Sequence, residues 1–128
     1  MNTLMKAAVA AAALAVAAAP AYAQRVNTSG EGTFGRVTLN AGFTPDPYVV
    51  SVTAGGPVDA STLGESCVGS IPQRASFTLN YRANAEWPTL YISAASDGDA
   101  VLAVRAPNGQ WTCNDDSNGL NPAVSFSN

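Results

Sequence analysis

Residues 75–82 alternate between two kinds of side chain. Phe77, Leu79 and Tyr81 fall on one side of an extended chain, and Ser76, Thr78, Asn80 and Arg82 on the other. A period of two predicts a half-buried β-strand. Similar short runs, rich in Val, Thr and aromatics, occupy Thr33–Leu39, Tyr48–Thr53, Leu90–Ala94, Ala100–Arg105, Gln110–Cys113 and Pro122–Ser127. Leu90 and Ile92, Leu102 and Val104, and Val124 and Phe126 are the expected inward pairs. Gly, Pro, Asn and Asp separate the runs. Pro45-Asp46-Pro47 predicts a turn, and Asn108-Gly109, behind Pro107, predicts a hairpin. Residues 57–73, with Gly64, Gly69 and Pro72, read as irregular. Beyond residue 23 no stretch carries a sustained apolar stripe at the helical period of about 3.6 residues. Strands recurring every 8 to 12 residues or so predict an all-β chain, an antiparallel β-sandwich.

The first 23 residues follow another pattern. Lys6 precedes an unbroken apolar run, Ala7–Ala19, which is too short for a hydrocarbon core of about 30 Å. Pro20 breaks it, and Ala21-Tyr22-Ala23 places small residues at the −3 and −1 positions of a cleavage site. This is the three-part pattern of a secretory signal peptide cut after Ala23. The expected organisation is a signal peptide over 1–23, a flexible arm over 24–32 and a single β-sandwich over 33–128. The mature chain is expected to be periplasmic or secreted, without membrane attachment after cleavage. In an oxidising compartment Cys67 and Cys113, the two cysteines of the chain, are most simply a disulfide.

Removing the leader changes the composition. Residues 24–128 retain five Arg against nine Asp or Glu, no Lys and no His, for a net charge of −4. No basic excess is present to track a phosphate backbone, so nucleic acid is excluded as a partner class. Without His the commonest general base is missing. The charge is also uneven. Arg25, Arg36, Arg74 and Arg82 balance Glu31, Asp46, Asp59 and Glu65, so the whole −4 lies beyond residue 82, where Arg105 faces Glu86, Asp97, Asp99, Asp115 and Asp116.

Four of those carboxylates sit in two turns, Ser96-Asp97-Gly98-Asp99 and Asn114-Asp115-Asp116-Ser117-Asn118-Gly119. The first leads into one hairpin strand and the second leaves the other, so antiparallel pairing places both at one end. Two readings follow. Asp97, Asp99, Asn114, Asp115, Asp116 and Asn118 offer a hard-oxygen donor set suited to Ca²⁺. Alternatively, Asp, Asn, Ser and Gly are turn formers that hydrogen-bond their own backbone. Asn114-x-Asp116-x-Asn118-Gly119 copies the first half of an EF-hand loop. Ser125 stands where its bidentate Glu belongs and no helices flank it, so an EF-hand is rejected.

Other chemistry is weaker. No G-x-S-x-G elbow is present, and no His is available to activate a Ser. The Asp pairs show no substrate cleft for glycoside hydrolysis. Tyr48, Tyr81, Trp87, Tyr91 and Trp111 suit either core packing or a ligand platform.

Ser96-Asp97-Gly98-Asp99-Ala100-Val101-Leu102-Ala103-Val104, then Pro107-Asn108-Gly109-Gln110, then Asn114-Asp115-Asp116, resembles the bacterial pre-peptidase C-terminal domain. Phe77-Thr78-Leu79 and Leu90-Tyr91-Ile92-Ser93 match its preceding strands, so the resemblance spans roughly residues 75–128. It implies a secreted jelly-roll-like sandwich appended to an exported enzyme, with some relatives binding Ca²⁺, collagen or polysaccharide. Relatives continue past the equivalent of Val124-Ser125-Phe126 into a closing strand, so this chain is expected to lack that strand and expose an edge. Such an edge is open to β-augmentation or self-association.

The expected function is therefore an exported, non-catalytic accessory or binding module, associated with secreted peptidases or cell-surface ligands, whose partner is a protein, peptide or glycan. The alternatives are a fragment of a secreted peptidase or hydrolase, and a structural protein that assembles through its open edge.

Overall fold

A computed structural model describes residues 25–127. The expected signal peptide therefore lies outside the described residues. Within them the chain is all-β, with eight strands: β1 (Arg36–Asn40), β2 (Val58–Asp59), β3 (Ser70–Ile71), β4 (Thr78–Arg82), β5 (Thr89–Ser93), β6 (Leu102–Arg105), β7 (Trp111–Asn114) and β8 (Ala123–Ser127). One short 3-10 turn, Ala60–Leu63, interrupts them. The strands pair as four two-stranded ladders, not closed into a barrel: β1–β4, β2–β3, β5–β8 and β6–β7. The last three are antiparallel.

The alternating runs fold as their period dictates. In the β5–β8 ladder Leu90 faces Phe126 and Ile92 faces Val124. All four are buried or half-buried, while Tyr91, Ser93, Ser125 and Ser127 between them are exposed. Cross-strand apolar pairs of this kind are the unit that stabilises a ladder. Leu79 and Tyr81 of β4 are half-buried, while Asn80 and Arg82 are exposed.

The β6–β7 hairpin closes through Pro107-Asn108-Gly109. Gly109 N–H donates to Ala106 C=O (2.9 Å), and Ala106 N–H donates to Gln110 C=O (2.8 Å). Gly109 has φ +86°, and no non-glycine described residue has positive φ. This is a three-residue loop with glycine in the left-handed position, not the two-residue turn that needs positive φ at Asn as well. Asn108 Oδ1 accepts from Gln110 N–H (3.0 Å), which fixes the turn from its side chain.

Three expectations are corrected. Tyr48–Thr53 is not a strand: Tyr48, Val49 and Val52 are 44%, 77% and 48% exposed, and no described segment pairs with theirs. β-propensity expresses packing against neighbours, and here there are none. Residues 57–73 are not irregular filler but hold the core. Val58, Ala60, Cys67 and Ile71 form its buried cluster, and Val26, Leu63, Val101, Trp111 and Cys113 pack against it. Finally, β1 and β4 run parallel. Parallel neighbours need a long crossover, and residues 41–77 supply it. Residues 25–32 also touch the rest of the fold. Val26 meets the core and Asn27 N–H donates to Gln73 C=O (2.6 Å).

The expected disulfide is present. Cys67–Cys113 joins the core segment to β7 across a sequence separation of 46.

Candidate functional site

The two acidic turns flank the open end of the β6–β7 hairpin. Leu102 pairs with Asn114 at that end, so Asp97 and Asp99 precede it on one strand while Asp115 and Asp116 follow it on the other. Contacts from β5 and β8 close the same end. Ala94 N–H donates to Pro122 C=O (3.0 Å) and Ser96 N–H to Asn121 Oδ1 (3.3 Å). The turns are therefore neighbours, as hairpin geometry requires.

Their side chains largely hold the backbone. Asn114 Oδ1 accepts from Ala123 N–H (3.1 Å), fixing the start of β8. Ser96 Oγ donates to Gly98 C=O (2.8 Å) and accepts from Gly98 N–H (3.0 Å). Asn118 and Asn121 exchange both backbone bonds, at 3.0 and 3.1 Å, and close a tight reversal. Asp97, Asp99, Asp116 and Asn118 are exposed, and Asn114 and Asp115 half-buried. Among the described residues no three His, Cys, Asp or Glu side chains converge as a metal site. Of the six candidate residues, Asn114 already spends one lone pair of its Oδ1 on Ala123 N–H.

The carboxylates do sense one another. Local desolvation, then the charges of Asp115 and Asp99, hold the Asp116 carboxyl above its ordinary range. A raised value means that the folded state binds the proton more tightly than the unfolded chain does. Ionised Asp116 therefore costs stability at neutral pH, and that cost disappears as pH falls through the raised value. Asp116→Asn is expected to raise the thermal midpoint at pH 7, with the gain lost in acid and reduced by salt. Scanning calorimetry at two pH values checks this. Added Ca²⁺ should leave both midpoints unmoved; a rise confined to the parent protein would instead make Asp116 a cation ligand.

Asp59 has a different role, which the sequence pattern did not mark. Its Oδ1 accepts from Ser61 N–H (2.9 Å) at the start of the 3-10 turn, while Thr62 Oγ1 donates to Asp59 C=O (2.8 Å). The Ser61 hydrogen bonds hold its carboxyl below the ordinary range. This contribution to stability is present above the unfolded carboxylate value and lost as pH falls through the lowered one. The signal was available in Asp59-x-Ser61, a capping pattern with no helical stripe behind it.

The aromatic residues differ in burial. Trp111 packs on the core and Tyr81 is half-buried, whereas Trp87 (55%) and Tyr91 (76%) are exposed. A cleft of about 450 Å³ opens along β4, lined by Thr38, Leu79, Asn80, Tyr81, Arg82 and Pro107.

No protein-family model, curated protein or solved structure matches this chain. Among the described residues no helix is long and apolar enough to cross a membrane.

Proposed function

We propose that this chain is an exported, non-catalytic binding module, stapled by its disulfide and held beside a secreted enzyme or cell-surface ligand. Export is supported by the leader pattern over 1–23 together with the Cys67–Cys113 bridge, a bond that persists in oxidising compartments. The absence of catalysis is supported by chemistry: residues 24–128 contain no His and no Lys, and both cysteines are bonded.

One observation carries the binding role. Among the described residues the ladders are only two strands wide, so β4 and β5 each pair on one side alone there, and Tyr91 stands 76% exposed on β5. Unpaired edges are templates for an incoming strand. The likeness of residues 75–128 to pre-peptidase C-terminal domains supports placing the module next to a secreted peptidase. The acidic turns serve in this reading as the rigid base of the hairpin.

Co-sedimentation with insoluble collagen and with insoluble polysaccharide, followed by assay of released fragments, tests the proposal. Retention on either without fragments is expected. Release of fragments by the purified chain would contradict it and favour the hydrolase alternative.

A further inference from the structure

We propose that the fold selects Asn118 as a site of self-modification, where the Gly119 backbone nitrogen converts the Asn118 side-chain amide into a carboxylate without an enzyme. This goes beyond the binding-module reading and does not depend on it.

The chain contains two Asn-Gly steps, Asn108-Gly109 and Asn118-Gly119, and one Asp-Gly step, Asp97-Gly98. Glycine lacks a Cβ, so its backbone nitrogen approaches the preceding side chain with least hindrance. In an Asn-Gly step that nitrogen bonds to the Asn Cγ and gives its proton to solvent. The Cγ–Nδ2 bond breaks, and Nδ2 takes up a proton and leaves as ammonia. Water then adds to the cyclic imide and opens it at either carbonyl, to aspartate or to isoaspartate. Amide and water become acid and ammonia, and nothing is oxidised or reduced.

The hydrogen bonds separate the three steps. Gly109 N–H donates to Ala106 C=O (2.9 Å). The Asn108 side chain is held at both ends, since Oδ1 accepts from Gln110 N–H (3.0 Å) and Nδ2 donates to Gln110 Oε1 (3.4 Å). Gly98 N–H donates to Ser96 Oγ (3.0 Å). Each of these bonds must break before the nitrogen can attack.

Asn118-Gly119 carries no such protection. Asn118 N–H donates to Asn121 C=O (3.0 Å) and Asn121 N–H to Asn118 C=O (3.1 Å), which leaves Gly119 and Leu120 as a two-residue loop. Gly119 has φ +62°, the sign that a II′ turn requires at its first central residue. The N–H at that position points away from the ladder. Among the described residues neither Gly119 N–H nor the Asn118 side chain has a hydrogen-bond partner. Both residues are exposed. A Cβ at residue 119 would meet nothing within 4 Å, whereas one at residue 109 would lie 3.4 Å from Arg105 Nη2. Room and water are therefore available where the ring must close.

The product changes the turn. Aspartate at residue 118 adds a negative charge beside Asp115 and Asp116. Isoaspartate lengthens the backbone inside the Asn118–Asn121 reversal that leads into β8.

The test incubates the oxidised protein in mildly alkaline buffer, folded, and in parallel the reduced protein in concentrated urea. Cleavage after Trp111 places Asn108 and Asn118 on different peptides. Mass spectrometry follows the exchange of NH₂ for OH in each. In the folded protein Asn118 is expected to convert at least about tenfold faster than Asn108, the factor set by the hydrogen bonds that must first break at residues 108 and 109. In urea the two rates should converge. Anion exchange should resolve a more negative species from the folded sample, and Asn118→Ala should remove it. Equal rates in the folded protein overturn the proposal, as does an Asn118 that converts only in urea. A preference for Asn118 that persists unchanged in urea also overturns it, because the neighbouring residues and not the fold would then set the rate.

Discussion

Replacing both cysteines, as Cys67→Ala/Cys113→Ala, is expected to lower the thermal midpoint by about 20 °C. A bridge across a separation of 46 removes about 4 kcal/mol of loop-closure entropy from the unfolded chain in the chain-entropy model. Dividing by the unfolding entropy of roughly 100 residues, about 0.2 kcal/mol per kelvin, gives that shift. The effect is large relative to what else holds the chain. Among the described residues the buried hydrophobic core consists of Val58, Ala60, Cys67, Ile71, Ala100 and Val124, most of them small. A domain of this size has only about 5 to 15 kcal/mol in total. Cys67 is 2% exposed and lies among Val58, Ala60 and Ile71, so its bridge to β7 also ties the core segment to the hairpin. Differential scanning calorimetry of the variant, and of the parent protein under reducing agent, should agree. A shift below about 5 °C would mean that the bridge only links surfaces that already pack without it.

Gly56→Ala is expected to destabilise by about 2 to 3 kcal/mol, through overpacking against backbone that cannot rotate away. A Cβ at residue 56 would sit 2.3 Å from Pro72 Cα, 2.5 Å from the Ile71 carbonyl oxygen and 2.6 Å from Pro72 N. Relief requires the chain at residue 56 to part from the end of β3, and Val58 pairs with Ile71 only two residues further along. The substitution therefore loosens the buried cluster at its source. Gly55→Ala is the control: a Cβ there meets nothing within 4 Å, although φ is +90°. It should cost about 1 kcal/mol of backbone strain. Urea titration of the two variants should rank Gly56 well below Gly55 in stability. Equal losses would show that the 56–72 approach contributes nothing beyond backbone preference.

The ladders that were legible in the sequence share a physical reason. β4, β5 and β8 each bury one face and wet the other, so the period of two is written into their residues. The hairpin is equally local, since Pro107-Asn108-Gly109 contains its own turn chemistry. The core was not legible. β2 and β3 are two residues long, too short for any period, and what organises them is a disulfide partner in β7. Tyr48–Thr53 misled for the opposite reason: it has strand-forming residues without a described strand to meet. The parallel pairing of β1 with β4 depends on a crossover path, not on residue type. At the acidic end, hairpin logic placed the turns together correctly. The direction of each oxygen was not legible, because whether Asn114 Oδ1 faces a cation or Ala123 N–H is decided by where β8 begins.

Export from the cytoplasm, followed by maturation into a disulfide-stapled module, is the proposal on which the rest depends. Intact-mass measurement of the protein recovered from the periplasm or medium of a bacterial host expressing the full sequence tests it most directly. The predicted result is a chain beginning at Gln24, lighter than its reduced form by the two hydrogens lost in joining Cys67 to Cys113. A full-length chain that stays in the cytoplasm with residues 1–23 attached and both thiols free would contradict it.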